Sequence, residues 1–265
     1  MALPDPRSDA GRRGLAALLA GPARALVAVD LDGTLAPIVA RPEDARPAPG
    51  AVAALTRLAG RVGQVAGVTG RPAGVAVRLA GLTAVPGLVV LGQYGADRWP
   101  AAGPPDRPHP GLAALRAQLP ALLAAEGADL EDKGLSLVVH TRRAASPTGA
   151  LARLSGPVDA LARAVGLELH PGRYVLELRP PGRDKGRALR TLAADRSAVL
   201  WAGDDSGDLP AYDEVDRLRA AGTPGLLVCS DSDEAPRRLR ERADLVVDGP
   251  AGVVELLRAL ADALV

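Results

Sequence analysis

An α/β fold, built on a parallel sheet and carrying a small inserted α+β domain, is what this sequence predicts. Three observations predict it. Short apolar runs alternate with helix-period segments toward both ends of the chain, two Pro/Gly-rich connectors interrupt that alternation, and the stretch between them has a different texture. The 265 residues are 48% hydrophobic with a formal net charge of +1. That is ample for a core, and too near neutrality for a protein that holds nucleic acid or a membrane surface mainly by charge. Aromatic residues make up 2% and Phe is absent, so Leu, Val and Ala have to fill the core.

Residues 25–31, Ala-Leu-Val-Ala-Val-Asp-Leu, read as a buried parallel strand followed by Gly33. A helix is expected over 49–61, with Val52, Leu55 and Leu58 on one face. A strand over 64–69, a helix over 72–81 and a strand over 88–93 follow. Pro100 to Pro110 is the first connector. Beyond it the pattern predicts a helix over 111–126, a strand over 135–142 and a helix over 148–165. Two strands, 167–170 and 173–179, are expected to pass through a turn at Pro171-Gly172, completing a small unit on a mixed sheet. After the second connector, Pro180-Pro181-Gly182, helices over 184–194, 209–221, 233–242 and 251–264 alternate with strands over 198–202, 226–229 and 244–247. The expected division is a core domain over 1–103 and 183–265, with an inserted domain over 104–182.

Arg12-Arg13 precede a moderately apolar stretch of the kind a secretion leader carries, but Pro22 and Arg24 interrupt it. No run approaches the ~20 apolar residues of a membrane span, and a cytoplasmic location is expected. Cys229, the one cysteine, sits in the apolar run 226–230 and reads as a buried strand end.

The chemistry gathers at strand ends. Asp30 and Asp32 lie in Val29-Asp30-Leu31-Asp32-Gly33-Thr34-Leu35, at a carboxyl end where open α/β sheets bind ligands. Two carboxylates this close repel unless a cation lies between them, and Mg²⁺ with oxygen ligands suits the pair. Val68-Thr69-Gly70-Arg71 offers a hydroxyl and backbone N–H groups ahead of a helix, although Thr there is ordinarily an N-cap. Asp184-Lys185-Gly186 opens another helix, where a Lys by itself is ordinarily a solvated surface residue. Trp201 to Asp208 follows an apolar strand and puts Asp204, Asp205 and Asp208 within five residues, the look of a metal-ligand turn.

These four pieces in this order resemble the signature set of the haloacid dehalogenase (HAD) superfamily. The resemblance implies a HAD-like Rossmannoid parallel sheet core with an inserted α+β cap domain. It implies Asp30 as nucleophile, Asp32 as general acid and base, and Thr69 and Lys185 as phosphate holders. Mg²⁺ is expected on Asp30, Asp32, Asp204 and Asp205, with Asp208 as alternative support, and Arg71 is expected to bind substrate. The physical reading agrees, because phosphoryl transfer needs positioning and charge stabilisation above all.

Further segments are similar to the trehalose-6-phosphate phosphatase family over roughly residues 25–260. They are Asp32-Gly33-Thr34-Leu35-Ala36-Pro37-Ile38-Val39 with Pro42 and Ala45, Glu131-Asp132-Lys133 with Ser136 and His140-Thr141-Arg142, Gly172 to Pro180, and Lys185-Gly186-Arg187-Ala188-Leu189. The resemblance implies that Lys133, His140, Arg142 and Glu177 face the sugar of trehalose 6-phosphate. Each also reads as an ordinary sheet or surface residue. Tyr94-Gly95-Ala96-Asp97 stands where the family usually has a His-Gly-Ala-Glu-like run, and Gly207-Asp208-Leu209 replaces its Thr-Asp-Glu pattern. Sucrose 6-phosphate, a glucosyl- or mannosyl-phosphoglycerate, and a catalytically decayed phosphosugar-binding module are therefore the alternative expectations. The partner expected is a small sugar phosphate, with no nucleic acid and no membrane, and the protein is expected to be a monomer.

Overall fold

The computed structural model describes residues 3–39, 41–103, 106–172, 174–233 and 235–264. The chain runs α1 (Asp9–Ala20), β1 (Ala25–Val29), α2 (Ala51–Ala59), β2 (Gln64–Val68), α3 (Ala73–Leu79), β3 (Val89–Gly92) and β4 (Asp97–Trp99). It continues through α4 (Gly111–Ala124), β5 (Asp129–Asp132), β6 (Leu137–His140), α5 (Pro147–Ala164), β7 (Glu168–Gly172) and β8 (Val175–Arg179). It ends with α6 (Lys185–Ala193), β9 (Ala198–Gly203), α7 (Leu209–Ala220), β10 (Gly225–Asp231), α8 (Arg237–Arg242), β11 (Leu245–Asp248) and α9 (Gly249–Ala263). Two compact units result: Met1–Gly103 with Asp184–Val265, and Pro104–Arg183.

The first unit is a sheet of order β11-β10-β9-β1-β2-β3-β4. All neighbours are parallel except β3 and β4. Both faces are covered, which is why the strands read as continuous apolar runs. Ala25, Val27 and Val29 of β1 pack with α2 and α9, while Leu26 and Ala28 pack with α6 and α7. Strand order runs one way from β1 through β2 and β3, and the other way through β9, β10 and β11. The reversal beside β1 is the switch point at which such sheets open a crevice. The stretch after Arg12-Arg13, weighed above as a leader, is helix α1, capped by Ser8 and packed on β9 and β10. Among the described residues no helix is long and apolar enough to cross a membrane.

The inserted unit is a four-stranded sheet of order β5-β6-β8-β7 with α4 and α5 on one face. Leu112, Leu115, Leu119 and Leu154 meet Leu137, Val139, Leu176 and Leu178 there. Three expectations are corrected. Every neighbouring pair is antiparallel, so the sheet is not mixed. Asp129–Asp132 forms a strand that its acidic sequence hid, since strand propensity depends mostly on context. The hairpin turn does not lie at Pro171-Gly172. Both residues belong to β7, with Pro171 opposite Leu176, and Tyr174 ahead of β8 takes φ 58°, while Arg173 lies outside the described residues. Strand β7 is at the sheet edge, where a residue without an N–H is tolerated.

Asp244 ties α1 to this framework. It is 2% exposed and accepts hydrogen bonds from the Leu227 N–H at 2.7 Å, the Ser8 hydroxyl at 2.5 Å and the Arg219 guanidinium. Removing it leaves a buried amide without this acceptor and takes one partner from the guanidinium, which keeps Asp216 and the Gly225 carbonyl. Asp244→Ala is expected to lower unfolding free energy by about 1–3 kcal/mol, read as a fall in the urea midpoint. A midpoint equal to wild type would remove Asp244 from this role.

Candidate active site

The strand ends beside β1 carry the acidic motifs. Asp30 follows β1, with its N–H bonded to Ala202 O at 2.9 Å, which aligns it with the end of β9. Asp204 follows β9 directly, and Thr69 follows β2. The structure brings Asp30, Asp204 and Asp208 together, with one carboxylate oxygen of each within 4.8 Å of the others, and all three are buried.

One cation is set among them. Lys185, the first residue of α6, is 5% exposed, with Nζ 3.0 Å from Asp30 Oδ1 and 2.8 Å from Asp208 Oδ1. Burial alone pulls its pKa down, but the facing carboxylates of Asp208 and Asp30 outweigh that and hold it well above the usual lysine value. The carboxylates are shifted upward. Burial raises Asp30, and the charges of Asp208 and Asp204 add to it against the attraction of Lys185. Burial and the charges of Asp208 and Asp205 push Asp204 up to about 7. Three carboxylates facing a single ammonium form an electron-rich set of hard oxygens, which fits a divalent cation.

Local turn chemistry decides which aspartates join the cluster. The Ser206–Asp208 turn is a capping box. Asp205 caps it by accepting from the Gly207 N–H at 2.8 Å, and its side chain is 63% exposed. Asp208 folds back instead: Oδ2 accepts from the N–H groups of Asp204 and Asp205 at 2.9 and 3.1 Å, while Oδ1 takes Lys185. Asp208 thus stands in the cluster where the sequence reading put Asp205, and Asp205 lies at its margin, 4.0 Å from Lys185 Nζ. With both oxygens engaged, Asp208 acts by holding Lys185 and the loop.

Asp32 is also apart from the cluster. Its carboxylate forms a two-point pair with Arg71, Nε to Oδ2 at 2.6 Å and Nη2 to Oδ1 at 2.8 Å. Arg71 therefore holds a carboxylate here, in addition to its expected part in binding substrate. Thr69 is buried and its hydroxyl accepts from the Arg71 N–H at 3.1 Å, which shapes the loop entering α3. Thr34 was not singled out from the sequence. Its buried hydroxyl donates to Asp204 Oδ1 at 3.0 Å, and only its place in the Asp30–Leu35 loop hinted at it.

In the inserted unit, Lys133 Nζ lies 3.4 Å from Glu177 Oε1, which also accepts from Ser136 Oγ at 3.2 Å. Glu177 is buried on β8. His140 Nε2 is 2.8 Å from Glu131 Oε2, and the Arg142 guanidinium lies over the Tyr174 ring at 5.2 Å. Lys133 and Glu177 are thus in one cluster, while His140 and Arg142 have separate partners.

The trehalose-phosphatase family matches the chain over residues 28–243. A trehalose-phosphate phosphatase of Mycobacterium avium is 34% identical over 255 residues, an overlap of 89% of this chain and 61% of that protein. The chain thus spans about three fifths of the length of that curated relative. The C-terminal domain of a C. albicans trehalose-6-phosphate phosphatase superposes with a TM-score of 0.76 at 18% identity, covering 98% of this chain and 99% of that one. A haloacid dehalogenase-like hydrolase of Bacteroides thetaiotaomicron gives 0.63 at 16% identity, covering 88% and 97%. At such identities the two structures share the fold alone, a HAD-like α/β core with an inserted unit.

Gly33 tests the packing of the site. Its φ is +85°, and a Cβ there would lie 1.9 Å from Asp204 Oδ2. Gly33→Ala is expected to displace Asp204 and to weaken the binding of a divalent cation to the carboxylate cluster by about 10- to 100-fold, measured by titration calorimetry. Cation affinity within twofold of wild type would contradict this.

Proposed function

This chain belongs to the trehalose-phosphatase family, and from that membership we propose that it hydrolyses trehalose 6-phosphate to trehalose and phosphate. The observation that carries the chemistry is the buried Asp30–Lys185 pair at the carboxyl end of β1, inside a carboxylate cluster. A buried carboxylate held by an ammonium, aimed into a switch-point crevice, is suited to nucleophilic attack on phosphorus.

Asp30 attacks in line, forming the bond from its carboxylate oxygen to phosphorus as the bond to the sugar oxygen breaks. Asp32 gives a proton to that departing oxygen, then takes one from the water that splits the phospho-aspartate. For this Asp32 has to turn from Arg71, and the anionic phosphate is a competing partner for that guanidinium. Lys185 neutralises charge on the phosphoryl oxygens, and the hydroxyl of Thr69 with the N–H groups before α3 orients them. Mg²⁺, held by Asp30 and Asp204 with Asp208 behind them, would supply the charge that lets a carboxylate and a phosphate dianion approach. Thr34 keeps one oxygen of Asp204 in place. The sugar is recognised by Lys133, Glu177, His140 and Arg142, whose carboxylate and donor groups match hydroxyls.

A cytoplasmic setting accords with the single buried Cys229, which offers no disulfide. A monomer accords with the small set of exposed large apolar side chains described, Ile38, Val39 and Val246.

The test is phosphate release with Mg²⁺ from trehalose 6-phosphate, sucrose 6-phosphate and glycosyl-phosphoglycerates, for wild type and Asp30→Asn. Wild type is expected to prefer trehalose 6-phosphate and to lose turnover on chelation, with Asp30→Asn inactive. Preference for another substrate overturns the sugar assignment. Equal slow release by both proteins from every substrate overturns the enzyme reading.

A further inference from the structure

The inserted unit carries a second charge network, with Glu177 and Arg179 buried, on the sheet face away from its helices. Leu137, Val139, Leu176 and Leu178 turn toward α4 and α5. Strand alternation therefore puts Glu168, His170, Glu177 and Arg179 on the other face. His170 is directly opposite Glu177, and Glu168 opposite Arg179. Glu177 and Arg179 are 6% and 8% exposed, so each depends on partners within the protein.

The contacts run in a line. Lys133 Nζ and Ser136 Oγ meet Glu177 Oε1 at 3.4 and 3.2 Å. Arg179 Nη1 meets Oε2 at 3.4 Å, and Arg179 Nη2 lies 3.0 Å from His170 Nδ1. A guanidinium can only donate, so Nδ1 must accept, which makes His170 the neutral tautomer with its proton on Nε2. That nitrogen lies 3.3 Å from Glu168 Oε2. Burial and the charge of Arg179 push His170 below the usual histidine range, against the pull of Glu168 and Glu177.

We infer that His170 and Arg179 are positioning residues that orient Glu177 to receive a sugar hydroxyl. His170 fixes Arg179 from behind, and Arg179 fixes one carboxylate oxygen while Lys133 and Ser136 fix the other. A long guanidinium side chain held at one end alone keeps rotamer freedom, and the carboxylate it touches shares that freedom. The inference rests on the reading of this unit as the sugar-binding part.

Steady-state kinetics on two substrates test it: trehalose 6-phosphate, and p-nitrophenyl phosphate, which has no sugar hydroxyl. His170→Ala is expected to raise KM for trehalose 6-phosphate about tenfold, the low end for a hydrogen bond to a charged group. Its kcat should stay near wild type, with p-nitrophenyl phosphate kinetics unchanged. His170→Asn carries an amide oxygen near the Nδ1 position and is expected to restore most of the KM. Unchanged KM in His170→Ala, equal loss on both substrates, or an Asn variant no better than Ala each overturns the inference. Glu177→Gln separates the layers. Raised KM there with unchanged KM in His170→Ala removes the positioning role alone. Unchanged KM in Glu177→Gln removes the sugar-binding reading, and the inference with it.

Discussion

The active-site unit is organised around a buried ammonium held between two buried carboxylates. Lys185 can stay charged at 5% exposure only because Asp30 and Asp208 face it. Asp208 can stay there because the N–H groups of Asp204 and Asp205 satisfy its second oxygen. That bond pins the turn after β9, which in turn fixes Asp204 against Thr34 and Gly33. The charges therefore determine the backbone as much as the backbone determines the charges. An excess of carboxylate over ammonium remains, and a divalent cation would balance it.

The inserted unit applies the same logic with a different outcome. Glu177 is buried on a strand and is neutralised by Lys133 and Arg179. Its sheet has one apolar face under two helices and one face of partnered charges, so the unit folds by its leucine layer. Arg179 and His170 extend that face beyond the residues that family resemblance marks out.

The fold and the position of Asp30 at the end of β1 were legible because they rest on strong local signals. Buried parallel strands are continuous apolar runs, and β1, β2, β9 and β10 all show them. Asp30 and Lys185 stand at element boundaries that the pattern marks. What was hidden depends on partners far along the chain. Strand β5 is acidic and exists because it pairs with β6, and Pro171 sits in a strand because that strand is an edge. Of Asp205 and Asp208 the sequence reading favoured Asp205, whereas the capping box turns Asp205 outward and Asp208 toward Lys185. The pairing of Asp32 with Arg71, 39 positions apart, likewise has no trace in either local motif.

The central claim is that phosphate passes through Asp30, and rapid-quench labelling tests it most directly. Trehalose 6-phosphate carrying radiolabelled phosphate would be mixed with excess Mg²⁺-loaded wild type, which keeps Asp32 for forming the intermediate, then quenched in acid at millisecond intervals and peptide-mapped. The account predicts hydroxylamine-labile label on the peptide containing Asp30. Phosphate release without label on that peptide, or label on another residue, would contradict it.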